Sequence, residues 1–260
     1  MNSNPKKNTT KTLAFVSGYV GKKKHARIPK KPPRHDSYFI TDNKWVYYRL
    51  KFTRWKPVFI KDTAALIAQF SPESPVNNFS EEAITTDKVT AQRYYTTACK
   101  PLKVYPQHFL KKKYDYLVWS DNKFDINYKD TIKVVNNWNP DIAMMLHRHP
   151  VLKNIDGEFE ESMLQERYVI EKEQYTRYIK DRVNEGLSSQ SDDHYQCGYL
   201  LYNMKASETE NIQKAWHQNI NQCGINDQIS FNFVAQKFRH LIDEYKYDID
   251  RKPLRKRIFK

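Results

Sequence analysis

Residues 114–126 read Tyr-Asp-Tyr-Leu-Val-Trp-Ser-Asp-Asn-Lys-Phe-Asp-Ile, and this stretch constrains the fold more than any other. Residues 116–119 form an unbroken apolar and aromatic run, the composition of a central strand buried on both faces. Charge then returns abruptly at Asp121 and again at Asp125. In an open α/β sheet, a side chain just past the end of a buried strand faces the crevice where ligands bind. A carboxylate in that place can hold a divalent cation against a diphosphate, because hard cations prefer oxygen ligands. The same pattern also describes a strand followed by a plain Asp-Asn turn.

Further strand signals lie at residues 12–16, 38–40, 141–146 and 195–204. Helical patterns lie between them, at 87–98, 128–138, 157–185 and 207–220, and again from Asp227 onward. This alternation predicts an α/β fold with a mainly parallel central sheet flanked by helices. Residues 45–50 and 57–60 read as extended segments near an edge, and 71–80, rich in Pro, Asn and Ser, as a loop. Asp87 is placed to cap a helix, and Ser207 with Glu210 approximates a capping box. Ser17-Gly18 reads as a turn out of the first strand, with Gly18 letting the backbone approach a ligand. The pattern at 157–185 is one long helix or two with a bend.

At 260 residues the chain has room for one large domain. We read 12–245 as that domain, 1–11 as a basic arm and 246–260 as a basic tail. Lys and Arg outnumber Asp and Glu by 44 to 30, a net charge of +14. Such a field draws polyanions, diphosphates and acidic surfaces alike, the last through the basic termini. Cys99, Cys197 and Cys223 follow neither a disulfide framework nor a zinc spacing. No apolar run spans a membrane and the start lacks a signal-peptide core, so a soluble, cytoplasmic protein is expected. Neither a glycine-rich dinucleotide fingerprint nor a Walker-type phosphate loop is present.

Polar residues at strand ends are the candidate site. Asp42 follows the second strand as Asp121 follows the central one. His147-Arg148-His149 follows the strand at 141–146 and can contact phosphate or metal, or simply leave the sheet as a basic loop. Glu158 and Glu161 can orient an acceptor or lie on a helix surface. Asp227 opens a helix, where a carboxylate either caps the free backbone N–H groups or serves as a base.

The order of several segments resembles a glycosyltransferase-like family first catalogued as a domain of unknown function, whose plant members are implicated in pectin and mucilage polysaccharide synthesis. The segments are 15–19, Phe39-Ile40-Thr41-Asp42-Asn43, residues 91–99, Pro106-Gln107-His108-Phe109 and Tyr114 through Asp121. They continue with His147-Arg148-His149-Pro150, residues 158–161 and Asn226-Asp227-Gln228-Ile229-Ser230-Phe231. Compact algal-virus glycosyltransferases are similar more loosely. The resemblance implies a fold-type-A glycosyltransferase that moves a sugar from a nucleotide diphosphate sugar, UDP preferred, to a glycan or glycoprotein acceptor, with Mn2+ or Mg2+ as cofactor. It implies that Asp121 is the metal carboxylate, although position 123 is Lys where an Asp-x-Asp form would have its second acid. For such a transfer we read Gly18, Asp42, Asp121, Lys123, His147, Arg148 and His149 as donor contacts, Glu158 and Glu161 as acceptor contacts, and Asp227, which matches the family's closing motif, as the base of an inverting transfer. Asn226 stands where the family has Arg. A truncated Golgi-type catalytic domain would share these features. Two other classes remain open: a nucleic-acid-binding protein, from the charge and the aromatics, and a polysaccharide-binding scaffold without activity.

Overall fold

A computed structural model of the chain describes residues 11–22, 25–29 and 34–248. The expected basic arm and basic tail fall outside the described residues, apart from Lys11 and residues 246–248. In chain order the elements are β1 (Leu13–Tyr19), β2 (Asp36–Thr41), α1 (Lys44–Leu50), β3 (Lys56–Phe59), α2 (Thr63–Phe70), α3 (Glu81–Thr86), α4 (Lys88–Val104), β4 (Tyr116–Asp121) and α5 (Tyr128–Asn136). They continue with β5 (Met144–Arg148), α6 (Ile155–Ser162), α7 (Glu166–Val169), α8 (Lys172–Asn184), β6 (Tyr195–Asn203), α9 (Glu208–Cys223), α10 (Asp227–Lys237) and β7 (Ile242–Glu244).

The strands form one sheet in the order β3-β2-β1-β4-β6-β5-β7. β1 pairs parallel with β2 and β4, β2 with β3, and β5 with β7. β6 alone is reversed, antiparallel to both β4 and β5. The sheet is therefore mostly parallel with helices on both faces, as the alternation predicts. Alternate residues of each strand serve opposite faces. Ala14, Val16, Leu117 and Trp119 pack with Ile67 of α2, Leu102 of α4, Trp216 of α9 and Phe231 of α10. Leu13, Phe15, Tyr116 and Val118 pack on the other side with Val46 and Leu50 of α1 and Val135 of α5. A satellite cluster joins α6, α8, α9 and α10 through Ile155, Tyr175, Tyr178, Cys223, Ile229 and Phe233.

Several expectations need correction. Residues 45–50 are helical, because the Asn43 side chain accepts from the N–H groups of Trp45 and Val46 and starts the turn. Val46 and Leu50, four apart, then bury one face. Ser17-Gly18 does not turn; the strand continues to Tyr19, with Gly18 paired between Ile40 and Asp121. The strand expected at 141–146 is shifted to β5, which takes in His147 and Arg148. The helical region at 157–185 is three helices, α6 to α8. Ser207 makes no side-chain cap bond. Most consequential for the site, the helix expected to end near residue 98 runs on as α4 to Val104. It passes through Pro101, whose carbonyl accepts from the Tyr105 N–H at 2.9 Å.

Burial leaves one testable mark on α9. His217 is 7% exposed, set edge-on to the rings of Phe70 and Tyr105, and its Nε2 has no hydrogen-bond partner among the described residues. Burial pushes its pKa down to about 4. The unfolded chain, near 6.5, takes up this proton first. Stability is thus full above about pH 6.5 and lost as pH falls toward about 4, by about 3 kcal/mol. His217→Phe is expected to flatten that decline in urea unfolding compared at about pH 7 and about pH 4.5. Equal declines in both proteins would remove His217 as the cause.

Candidate active site

β1 lies between β2 and β4, so the strand order reverses there and a crevice opens beyond the carboxyl ends of β1 and β4. Two lobes occupy it. The larger, about 780 Å³, is lined by Gly18, Tyr19, Tyr95 and Cys99 among others. The smaller, about 370 Å³, is lined by His149, Glu158, Glu161, Gln196 and Gln228 among others. Lys103, Asp121, Lys123, Arg167, Tyr168 and Asp227 line both and mark where the lobes meet.

The centre of the junction is an ion cluster. Lys100 and Lys103, one turn apart on α4, emerge on the same side of the helix. Lys103 Nζ lies 2.8 Å from Asp227 Oδ2 and 3.2 Å from Asp121 Oδ1, bridging the end of β4 to the start of α10. Lys100 Nζ lies 2.9 Å from Asp227 Oδ1. The Tyr202 hydroxyl of β6 donates to the Lys103 carbonyl at 2.8 Å and fixes that turn. Burial alone would raise the Asp227 carboxyl, but the Lys100 and Lys103 ammonium groups overcome it and hold the pKa well below the usual carboxylate range. Burial likewise works against charge on Lys103, yet Asp121 and Asp227 outweigh it and hold the ammonium charged.

This cluster bears on both roles weighed for Asp227, the cap and the base. It does not cap α10: Asn226 does, accepting from the N–H groups of Gln228 and Ile229. A carboxylate with both oxygens on ammonium groups is also a poor proton acceptor. The geometry makes Asp227 the anion that holds two lysines in place. Asn226 further donates from Nδ2 to Glu158 Oε1 at 3.0 Å and to Ser162 Oγ at 2.6 Å, tying α10 to α6.

Asp121 sits at the end of β4 as expected. Its Oδ1 accepts from Trp119 Nε1 at 2.9 Å, and Lys123, 59% exposed, lies 3.7 Å from its Oδ2. Gly18 lines the larger lobe, and a Cβ there would come 3.1 Å from the Trp119 ring and 3.2 Å from the Ile40 carbonyl. Asp42 does not line either lobe. Its Oδ1 accepts from the Gly21 N–H at 2.9 Å while Asn43 Nδ2 donates to the Gly21 carbonyl at 3.1 Å. The pair clamps the loop that walls the larger lobe, at a glycine whose φ of 129° suits no side chain.

In the smaller lobe, His149 lines the wall and its Nδ1 accepts from the Leu152 N–H at 2.7 Å. His147 and Arg148 do not join it. Both belong to β5, where His147 Nδ1 bonds the Arg148 carbonyl at 2.6 Å. Arg148 pairs with Asp193 and stacks over Tyr195. Neither His147 nor Arg148 lines either lobe. Glu158 is held by Asn226, Gln228 and His194, and Glu161 is exposed on the lobe wall.

Lys100, Lys103, Arg167 and Tyr168 are the site residues that sequence reasoning missed. Both lysines lie past residue 98, where the sequence pattern ends the helix, and they flank Pro101. Arg167 and Tyr168 lie in a short helix inside a long polar stretch, with the Arg167 guanidinium 4.4 Å over the Tyr168 ring. The sole sequence signal for the lysines is their spacing of three, which sets both on one side of a helix.

The residues present do not fit the expected Mn2+ or Mg2+. Asp227 has both oxygens on ammonium groups, Asp121 Oδ1 already has two donors, and Lys stands at 123. Among the described residues no group of three His, Cys, Asp or Glu side chains is arranged to hold a metal ion. A dication at Asp121 would also sit against Lys103 and Lys123.

No protein-family model matches the sequence, and no curated protein matches it. Solved structures do match the fold. Mouse xyloside xylosyltransferase 1 aligns over 89% of this chain and 84% of its own, with a TM-score of 0.50 at 12% identity. The bifunctional glycosyltransferase WbbM aligns over 93% of this chain with a TM-score of 0.51 at 13% identity. This chain spans 40% of the WbbM chain. The fold is thus α/β, with a mixed, mostly parallel sheet flanked by helices that is similar to the fold of these glycosyltransferase structures, as expected from the sequence. The plant-type family resemblance narrows to this broader, distant structural likeness. Among the described residues no helix is long and apolar enough to cross a membrane.

Proposed function

We propose that the cleft binds a nucleoside diphosphate sugar and transfers its sugar to a hydroxyl group of a glycan or glycoprotein acceptor. UDP is the preferred carrier, and xylose or a hexose the sugar. One observation carries this reading: the two lobes meet at Lys103, Lys123 and Arg167, beside the strand-end Asp121 at the switch point of the sheet. A departing diphosphate needs positive charge where its own negative charge grows. Separate lobes give room for a nucleotide on one side and a sugar with its acceptor on the other, held for in-line attack. Tyr19 and Tyr95 in the larger lobe suit a base, and Glu161, Gln196 and Gln228 in the smaller suit hydroxyl groups. Likeness to structures described as a xylosyltransferase and a glycosyltransferase supports the reaction class. In this reading Asp227 holds the lysines, and the inverting course expected from a base at Asp227 loses its support.

Titration with UDP-xylose, UDP-glucose and UDP-galactose tests it. Saturable binding of one of them, followed by transfer or slow hydrolysis of its sugar, is the expected outcome. Binding of RNA or DNA with steep salt dependence, and of no nucleotide sugar, would overturn it in favour of the nucleic-acid reading.

A further inference from the structure

We propose that Lys103 is the built-in cation of this site, its ammonium standing where a metal ion would otherwise be, so that the donor diphosphate binds without a metal. This inference rests on the glycosyltransferase reading above and specifies how that cleft holds its donor. The position is the first argument. Lys103 Nζ is bracketed by the strand-end Asp121 at 3.2 Å and by Asp227 at 2.8 Å, and the residue lines both lobes. A cation coordinated by the strand-end carboxylate and a second carboxylate across the crevice would occupy this same space.

Local charge is the second argument. Two carboxylates, Asp121 and Asp227, face three ammonium groups, those of Lys100, Lys103 and Lys123. The cluster already carries an excess positive charge for an incoming diphosphate. A divalent ion added to it would meet like charge on two sides, and of the four carboxylate oxygens Asp121 Oδ2 alone has its ammonium partner as far off as 3.7 Å.

Rigidity is the third argument. Lys103 is 9% exposed at its side chain, its backbone carbonyl is fixed by Tyr202, and Asp227 fixes its tip. A lysine held this way presents a fixed charge, in contrast to a solvated surface lysine, and needs little reordering when an anion arrives. Lys123, 59% exposed at the mouth, is the adjustable second cation.

Metal-stripped protein decides the matter. Isothermal titration with UDP is run in excess EDTA and again in millimolar MnCl2 or MgCl2, with GDP and ADP as further probes. The expected result is a dissociation constant that agrees across these conditions within about threefold. Lys103→Met, which keeps the length and removes the charge, is expected to weaken UDP binding in EDTA by about tenfold or more, since a charge-assisted hydrogen bond is lost. Mn2+ should recover part of that loss, because Asp121 and Asp227 then have oxygens to offer. Wild-type binding that disappears in EDTA and returns with metal would overturn the inference while leaving the glycosyltransferase reading intact. Absence of binding by any of the three nucleotides, with or without metal, would overturn both. Should Lys103→Met not fold, the wild-type comparison still decides.

Discussion

Asp227→Asn is expected to lower folding stability by about 3–5 kcal/mol, the usual effect of removing one partner from a buried ion pair. Asp227 is 9% exposed, and its two oxygens serve Lys100 at 2.9 Å and Lys103 at 2.8 Å. Asparagine keeps the shape but offers one acceptor oxygen, and it points N–H groups at an ammonium. Lys103 retains Asp121, while Lys100 is left buried beside a like charge. Denaturant unfolding at neutral pH checks this. The pH dependence has a definite sign as well. The folded carboxyl lies below its unfolded value of about 3.9, so its stabilisation is complete above that pH and is lost as pH falls further. The acid limb below about pH 4 should therefore be shallower in Asp227→Asn. A general base would behave differently, with stability intact and transfer slowed by roughly 10²-fold or more. That pattern would restore the base assignment and remove the ion-pair role.

Glu171→Ala should be comparably costly, by about 3–5 kcal/mol. The side chain is 6% exposed and serves three partners. Oε1 accepts from Arg93 Nη2 at 3.0 Å, and Oε2 accepts from the Tyr175 hydroxyl at 2.8 Å and the Ile225 N–H at 2.9 Å. Gly224 makes room for this contact: its φ is 116°, and a Cβ there would lie 2.6 Å from Glu171 Oε2. Glu171 follows α7, which carries Arg167 and Tyr168, and Ile225 precedes Asp227 by two residues. Losing the carboxylate frees both walls of the junction at once, so nucleotide affinity should fall along with the melting temperature. Glu171→Gln keeps the shape and part of the bonding and should fall between. Thermal unfolding and UDP titration of both variants give the test; a stable Glu171→Ala with unaltered UDP binding would show that the walls stand without it.

The sheet was legible because its central strands are buried on both faces and read as apolar runs, as in residues 116–119. Asp121 was legible for the same reason, since a charge directly after such a run marks the strand's end. α1 was misread because Trp45, Val46, Tyr47 and Tyr48 are residues common in strands, and the Asn43 cap decided otherwise. The lysines were invisible for a different reason. Lys103 meets Asp227 across 124 residues of chain, and no local pattern records such a pairing. The chemistry of Asp227 was not legible, because a carboxylate's basicity depends on neighbours that only the folded chain brings to it.

The reversed strand β6 sets the order in which this protein can be made. Its nine residues are all buried, and it joins β4 to β5 in mid-sheet. During synthesis β3, β2, β1 and β4 are complete by Asp121, but the strand that covers the free side of β4 begins about 70 residues later, at Tyr195. At about 5–20 residues per second, the nascent chain carries an open, apolar central edge for roughly 4–15 s. An exposed edge of that kind pairs readily with other strands. The ribosome-bound chain thus passes through an interval of adhesiveness that the finished sheet no longer has.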